Sequence, residues 1–331
     1  MSLNKTTIIL TILVMVWALG TPMGLEAKKH HNGPDVEAIY ESIRYAGPLY
    51  DWDEEIVYLE NEGMTLVCSL TIPNTQHWAP IVITLNGFAG NRDEAPVGGT
   101  DEGILKRNAR ILAEQGFASL RVDFRGSGDS DGEYQMTTFS TQVSDALAAL
   151  KYIRRNLRHQ VNTRSIGMLG HSQGGLVVST AAAKDGHVDA LVLWSPATCP
   201  PHAYEGLITK EGILAGLALP DGGWDLFPLS LNGLYLGIDI PLGKGFFEDL
   251  FNIDPLAEIT KYRRPLMVIV GKNDPIVWPQ PAKGQMYMTY HKGSEHLVNL
   301  DADHAFNYWA GPEKLDDAIF WGIAWFIKTL K

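Results

Sequence analysis

The stretch Gly170-His171-Ser172-Gln173-Gly174 is the most informative part of this sequence. It follows an apolar run, Ile166 to Leu169, and precedes a run of mostly small residues, Gly175 to Ala183. This pattern predicts a strand, a sharp turn with a serine at its apex, and a helix, an arrangement known as a nucleophile elbow. A serine hydroxyl is a weak nucleophile by itself. The interpretation therefore requires a base, an orienting acid and an oxyanion hole elsewhere in the chain.

Strand-like and helix-like segments alternate on both sides of this stretch, from Ile81 onward. Buried-strand patterns occur at 81–85, 117–124, 166–169, 190–194, 266–270 and 296–300, and an apolar stripe from 315 to 330 predicts a closing helix. Such alternation is typical of an α/β fold with a mostly parallel sheet and helices on both faces. Upstream, Glu55–Glu60 and Met64–Ile72 predict a β-hairpin. Residues 28–48 are polar and predict no regular structure.

One region interrupts the alternation. Residues from Pro196 to about Tyr262 are rich in Gly, Leu, Pro and aromatic residues and show no strand–helix repeat. We interpret an insertion at about 197–262 as a lid over the carboxyl ends of the strands, where ligands bind in open α/β sheets. The alternative is a helical or hairpin subdomain without a role toward substrate.

The base and the acid are expected after the serine, in the order Ser, Asp, His. His304 lies between the last predicted strand and the closing helix, and Asp274 follows the strand that ends at Val270. We therefore predict Ser172, Asp274 and His304 as the catalytic residues, with Asp274 holding the imidazole in one tautomer. Asp301 and Asp303 are rival acids, but they are close to His304 in sequence and are better suited to fixing its loop.

An oxyanion hole needs backbone N–H groups that point at the developing negative charge. The N–H of Gln173, directly after the nucleophile, is one candidate. The second is expected in the loop after the strand 81–85, which reads Asn86-Gly87-Phe88-Ala89-Gly90-Asn91. We predict the Phe88 N–H there, with the Ala89 N–H as the next choice.

These motifs together resemble the feruloyl (cinnamoyl) esterases and related bacterial serine esterases of the α/β-hydrolase superfamily. The resemblance rests on the segments 86–91, 121–132, 170–175, 271–274 and 302–304 and extends from about Glu55 to Leu330. One departure is Asn86 where the family often has His. The resemblance implies hydrolysis of carboxylic esters through an acyl-enzyme, with hydroxycinnamoyl esters of plant cell-wall polysaccharide as a candidate substrate class. The alternatives are a serine aminopeptidase or acyltransferase on the same fold, and a catalytically silent ligand-binding homologue.

The amino-terminal residues predict export. Lys5 is followed by an uncharged run from Thr6 to Leu19 and then by a stretch with small residues that reaches Ala27. We read residues 1–27 as a secretory signal peptide, 28–54 as a polar segment and 55–331 as the hydrolase domain. This predicts a secreted or periplasmic protein without stable membrane association. The alternative is an uncleaved membrane anchor, since the uncharged stretch nearly spans a bilayer.

Composition and spacing exclude several other classes. The net charge is -11, which disfavours nucleic acid as a partner. The two cysteines, Cys68 and Cys199, do not form a disulfide framework, and we expect two separate thiols. The glycine-rich loop Gly126–Gly132 has the wrong spacing for a dinucleotide fingerprint. We predict no cofactor and no metal; the sequence does not predict an oligomeric state.

Overall fold

The protein is described here by a computed structural model that covers residues 35–231 and 233–331. Its centre is an eight-stranded sheet in the order β1-β2-β4-β3-β5-β6-β9-β10. The strands are β1 Trp52–Asn61, β2 Met64–Pro73, β3 Pro80–Leu85, β4 Ala118–Val122, β5 Asn162–His171, β6 Ala190–Trp194, β9 Leu266–Gly271 and β10 Glu295–Leu300. β1 and β2 form the predicted hairpin and β2 is antiparallel to β4. The remaining pairs are parallel, as the alternating pattern predicts.

Two hydrophobic cores cover the two faces of this sheet, because successive side chains of a strand point to opposite sides. On β3, Ile81 and Ile83 belong to one core and Val82 to the other. The first core also takes in helices α3 Phe139–Asn156, α4 Gln173–Asp185, α8 Pro255–Ile259 and α9 Ala282–Tyr290. The second takes in α1 Val36–Ile43, α2 Ile104–Glu114 and α10 Glu313–Leu330. The predicted α/β class with helices on both faces is confirmed.

Helix α1 is absent from the sequence prediction, because it lies in a stretch read as polar and irregular. One face of the helix carries four buried side chains among its polar residues: Val36, Ile39, Tyr40 and Ile43. Tyr40 stacks on Trp321 of α10 with ring centroids 4.2 Å apart, and its hydroxyl donates a hydrogen bond of 2.9 Å to Asp317. The helix therefore owes its order to packing on α10, which an eight-residue window of sequence does not reveal.

The segment between β6 and β9 contains α5 Pro200–Ile208, α6 Lys210–Leu217, the antiparallel hairpin β7 Trp224–Leu231 with β8 Leu234–Gly243, and α7 Lys244–Asn252, all before α8. The hairpin forms a separate two-stranded sheet. We call residues 197–262 the insertion. Among the described residues, no helix has the length and apolarity that a transmembrane span requires. The predicted signal peptide at 1–27 lies outside the described residues.

Candidate active site

Ser172 sits at the turn between β5 and α4 in a backbone conformation that non-glycine residues rarely adopt. Its φ is 53° and its ψ is -114°. Backbone bonds hold it there: its N–H donates to Trp194 at 2.8 Å, and its carbonyl accepts from Ala197 at 3.0 Å. A Cβ added to Gly174 would overlap the carbonyl oxygen of Leu85, so the turn requires glycine at that position. Strain of this kind occurs typically at functional sites.

Asp274 and His304 come together from two neighbouring loops that follow β9 and β10. The Nδ1 atom of His304 lies 2.7 Å from Oδ2 of Asp274, whose side chain is completely buried. The other carboxylate oxygen accepts the backbone N–H groups of Ile276 and Val277, at 2.8 and 2.9 Å. Because a carboxylate can only accept, Nδ1 of His304 carries the proton and Nε2 is left free to act as a base.

The serine and the histidine line the same cavity, which has a volume of about 780 Å³. Asp303 also lines it, but its carboxylate accepts hydrogen bonds from within its own loop, from Ala305, Asn307 and Trp309. The side chain of Asp301 accepts from Asn273 at 3.1 Å. Neither rival acid forms a hydrogen bond or an ion pair with the His304 ring, which pairs with Asp274.

The predicted oxyanion loop follows β3 and borders this cavity. Gly87 donates its N–H to Glu94 at 2.6 Å, and Ala89 donates its N–H to the Tyr134 hydroxyl at 3.1 Å. Within the described part of the chain, the N–H of Phe88 between them has no hydrogen-bond acceptor, and the same holds for the N–H of Gln173 at the start of α4. Both predicted donors are thus unengaged among the described residues, whereas the Ala89 N–H is already engaged.

The side chain of Gln173 is fixed from the insertion and from α3. Its amide nitrogen donates to Gln142 at 2.6 Å, and its amide oxygen accepts from the Tyr204 hydroxyl. Tyr204 belongs to α5 of the insertion and is buried. Its ring packs edge-on against Phe88 and Phe246, at 5.2 Å between centroids in each pair. The insertion therefore supports the elbow and the oxyanion loop through one aromatic cluster.

The insertion also contributes to the wall of the cavity. Leu207 of α5, Leu229 of β7 and Leu236 of β8 line it together with Ile104 and Ile276. This part of the wall is thus apolar. It is the location that the sequence predicts for a lid.

Glu94 and His171 are two further residues at the site to which the sequence assigns no role. His171 lines the cavity, and its ring centroid is 5.2 Å from that of His304. Its Nδ1 atom lies 2.9 Å from the Glu94 carboxylate. No spacing rule marks Glu94. The only hint in the sequence is an acidic residue shortly after the oxyanion loop.

The glycine-rich loop at 126–132 follows β4 as consecutive turns. Gly126 donates to Asp131 at 2.8 Å and Ser130 donates to Ser127 at 3.1 Å. The loop encloses the buried carboxylate of Asp123, which pairs with the guanidinium of Arg92 and accepts the Arg92 N–H at 2.6 Å. This loop therefore anchors the residues that follow the oxyanion loop. The two cysteines are free, as predicted, with Cys68 buried.

The sheet order, the elbow and the acid–histidine pair define the chain as an α/β-hydrolase in fold. A family model for "Serine aminopeptidase, S33" matches residues 99–221, which include Ser172. Est1E from Butyrivibrio proteoclasticus, solved with ferulic acid bound, is similar with a TM-score of 0.62 and 24% identity, over 82% of this chain and 98% of that one. The predicted α/β-hydrolase fold is confirmed.

Two curated proteins are similar along most of their length. An uncharacterised 31.7 kDa protein of Escherichia coli is 24% identical over 268 residues, which are 74% of this chain and 89% of that protein. The quorum-quenching protein AidA of Acinetobacter baumannii is 28% identical over 269 residues, 72% of this chain and 83% of that protein. Both likenesses extend over more than two thirds of this chain and of the relative.

Proposed function

We propose that this protein is a serine esterase that cleaves carboxylic esters through an acyl-enzyme on Ser172. The observation that carries the proposal is the 2.7 Å contact of the buried Asp274 with His304, which lines the same cavity as a serine held on a strained turn. A buried carboxylate paired with a histidine that shares a cavity with such a serine has no use in a protein that only binds a ligand.

The proposed reaction starts with removal of the Ser172 proton by Nε2 of His304 as the hydroxyl oxygen attacks the ester carbonyl. Asp274 stabilises the imidazolium that forms. The N–H groups of Phe88 and Gln173 stabilise the oxyanion, and the loss of one such donor typically costs ~10²–10³ in rate. The imidazolium then protonates the leaving alcohol. A water molecule, activated by the same histidine, releases the acid and restores the serine.

The chemistry of the cavity supports an ester with an apolar or aromatic acyl group. Its wall contains three leucines of the insertion and the rings of Phe88 and Tyr134. Hydroxycinnamoyl (feruloyl) esters of plant polysaccharide fit this description, and the likeness to Est1E adds support. Export to the periplasm or the medium is part of the proposal and rests on the sequence of residues 1–27. Such a location would bring the enzyme to a polymeric substrate.

A serine aminopeptidase is the second candidate, favoured by the family model that matches residues 99–221. An aminopeptidase needs an acidic group for the amino terminus of its substrate. The carboxylates among the described residues of the cavity wall are Glu94 and Asp303; Asp303 accepts hydrogen bonds from its own loop, and the Glu94 oxygen that has no partner is buried. This arrangement favours the ester over the peptide.

Assays of methyl ferulate, acetyl-xylan, p-nitrophenyl esters and aminoacyl amides on wild type and Ser172→Ala test the proposal. We expect turnover of methyl ferulate that is at least ~10³-fold lower in the variant. Faster turnover of aminoacyl amides than of every ester would establish the aminopeptidase instead. A preference for short alkyl esters would refute the hydroxycinnamoyl proposal while leaving the esterase intact.

A pair of variants in the hairpin tests the role of the insertion. Leu236 and Leu226 are both exposed on the same hairpin, but only Leu236 lines the cavity. Leu236→Ala should raise KM for methyl ferulate by roughly 3–10-fold, since it removes about 1 kcal/mol of apolar contact. Leu226→Ala is the matched control and should leave KM unchanged. Equal KM values for both variants would show that the hairpin does not contact substrate.

A further inference from the structure

Glu94 is held in an unusual position beside the oxyanion loop. Its φ is 59°, in the left-handed region that non-glycine residues seldom occupy, and only 6% of its side chain is exposed. One oxygen, Oε1, accepts a hydrogen bond from the Gly87 N–H at 2.6 Å and lies 2.9 Å from Nδ1 of His171. The other oxygen, Oε2, is buried without a partner among the described residues. A strained backbone and an incompletely satisfied buried carboxylate both reduce stability, so their retention indicates a functional reason.

The pair formed by Glu94 and His171 connects three segments of the active site. Gly87 precedes the predicted oxyanion donor Phe88, and His171 precedes the nucleophile. On the far side of the imidazole ring, Nε2 of His171 lies 3.4 Å from the backbone carbonyl oxygen of His304. The oxyanion loop, the elbow and the histidine loop are thus linked through two side chains.

The oxyanion loop and the elbow are in direct contact at this point. A Cβ added to Gly87 would lie 3.3 Å from Cβ of Ser172 and 3.2 Å from Oε1 of Glu94. The hydrogen bond to Glu94 therefore sets how closely this loop approaches the nucleophile. A displacement of the Gly87 peptide would move the N–H of Phe88, the next residue, by a comparable distance. A misplacement of about 1 Å in an active site can cost ~10²-fold in rate.

The negative charge of Glu94 strengthens its interaction with the His171 ring. Burial of the His171 ring disfavours its charged form, but the Glu94 carboxylate outweighs this effect and raises the pKa of His171. The His304 carbonyl and the more distant Asp274 act in the same direction. In the charged ring both nitrogens are donors, which matches the acceptors on either side.

We propose that Glu94 is a positioning residue, which acts with His171 to hold the oxyanion loop at the correct distance from Ser172. This inference rests on the proposed esterase function, since it assigns the means by which the Phe88 N–H is aimed. It adds two residues to a site that otherwise consists of the acid, the base, the nucleophile and the two oxyanion donors. Neither touches the reacting atoms; both act through the backbone of the loops that they join.

The test compares Glu94→Ala and Glu94→Gln with Glu55→Gln, an exposed glutamate on β1. Rates are measured per active site, titrated with a fluorophosphonate, so that a smaller folded fraction does not count as lost catalysis. We expect Glu94→Ala to lower kcat by ~10²-fold with KM within about threefold. Glu94→Gln keeps an acceptor but loses the charge-assisted bond, so kcat should fall by only about tenfold. The kcat and KM of Glu55→Gln should equal those of wild type.

A wild-type kcat in both Glu94 variants would overturn the proposal. If Glu94→Ala does not fold, the Gln variant decides alone: a several-fold loss of kcat supports the proposal and an unchanged kcat refutes it. Failure of the proposed function would look different, because wild type itself would neither label nor turn over esters. NMR then decides. In Glu94→Gln the His171 ring must titrate at lower pH and the amide signals of Gly87 and Phe88 must move; unchanged signals would overturn the positioning role.

Discussion

Replacement of Asp274 by asparagine tests the role of the buried carboxylate without changing its shape. The two backbone N–H groups of Ile276 and Val277, at 2.8 and 2.9 Å, will retain an oxygen at the Oδ1 position of the new amide. The NH₂ group of that amide must then face Nδ1 of His304, which lies 2.7 Å from the present Oδ2. An NH₂ group can only donate there. The imidazole is forced to carry its proton on Nε2 and can no longer act as a base.

The expected magnitude follows from this loss of the productive tautomer. A change of the same kind in the Ser-His-Asp triad typically lowers kcat by about 10⁴-fold, which corresponds to about 5 kcal/mol of transition-state stabilisation. We expect Asp274→Asn to reach this loss with little change in KM, measured by the hydrolysis of methyl ferulate or a p-nitrophenyl ester. Thermal unfolding should differ little from wild type, since the hydrogen bonds of the other oxygen are preserved.

Asp301→Asn is the matched control, because Asp301 is the rival acid close to His304 in sequence and contacts only Asn273 among the side chains of the described chain. It should retain kcat within about twofold, as surface changes usually do. A folded Asp274→Asn protein with kcat within about tenfold of wild type would refute the assignment. A large loss in Asp301→Asn instead would transfer the role to that residue.

Three further predictions concern stability and reactivity. Gly174→Ala should destabilise the protein by about 3 kcal/mol or more in urea unfolding, since its Cβ would overlap the Leu85 carbonyl oxygen. A Cβ at Gly47 would have no atom within 4 Å, so Gly47→Ala should change the unfolding free energy little. An equal loss of stability in both variants would contradict the packing argument. The pKa of His171 is raised in the folded protein. The bond between the charged ring and Glu94 therefore stabilises the fold fully at pH values below the pKa of the unfolded chain, about 6.5. This stabilisation is lost as the pH rises through the pKa of the folded protein. The difference in unfolding free energy between wild type and His171→Asn should therefore shrink from about pH 6 to about pH 9, and a difference that grows would be inconsistent. Burial raises the pKa of the Cys68 thiol. A maleimide at about pH 8 should therefore modify only Cys199 in the native protein, which mass spectrometry can check. Rapid modification of Cys68 would contradict its burial.

The central strands and the chemical residues could be predicted because their signals are local. The run 190–194 predicts a strand with the bounds that β6 has, since every one of its residues is apolar and buried. The elbow, the acid and the histidine each follow a recognisable strand, and parallel strands bring their carboxyl ends to one edge of the sheet. The order along the chain therefore predicts which loops meet.

The elements and residues that the sequence did not predict depend on contacts between distant parts of the chain, which no local pattern encodes. The hairpin β7–β8 exposes apolar side chains such as Leu226 and Leu234, so it lacks the alternation that normally identifies a strand. Helix α1 is ordered by packing on α10, where the partner of Tyr40 is 277 positions away in the chain. The partnership of Glu94 with His171 spans 77 positions and depends on how two loops approach each other.

The site of covalent labelling by a fluorophosphonate, identified by mass spectrometry of the modified peptide, tests the assignment of Ser172 most directly. We predict one adduct per chain, on Ser172, formed at a rate that falls by at least ~10³-fold in His304→Ala. An adduct on another residue, or labelling of Ser172→Ala at the wild-type rate, would contradict the assignment of Ser172 as the nucleophile.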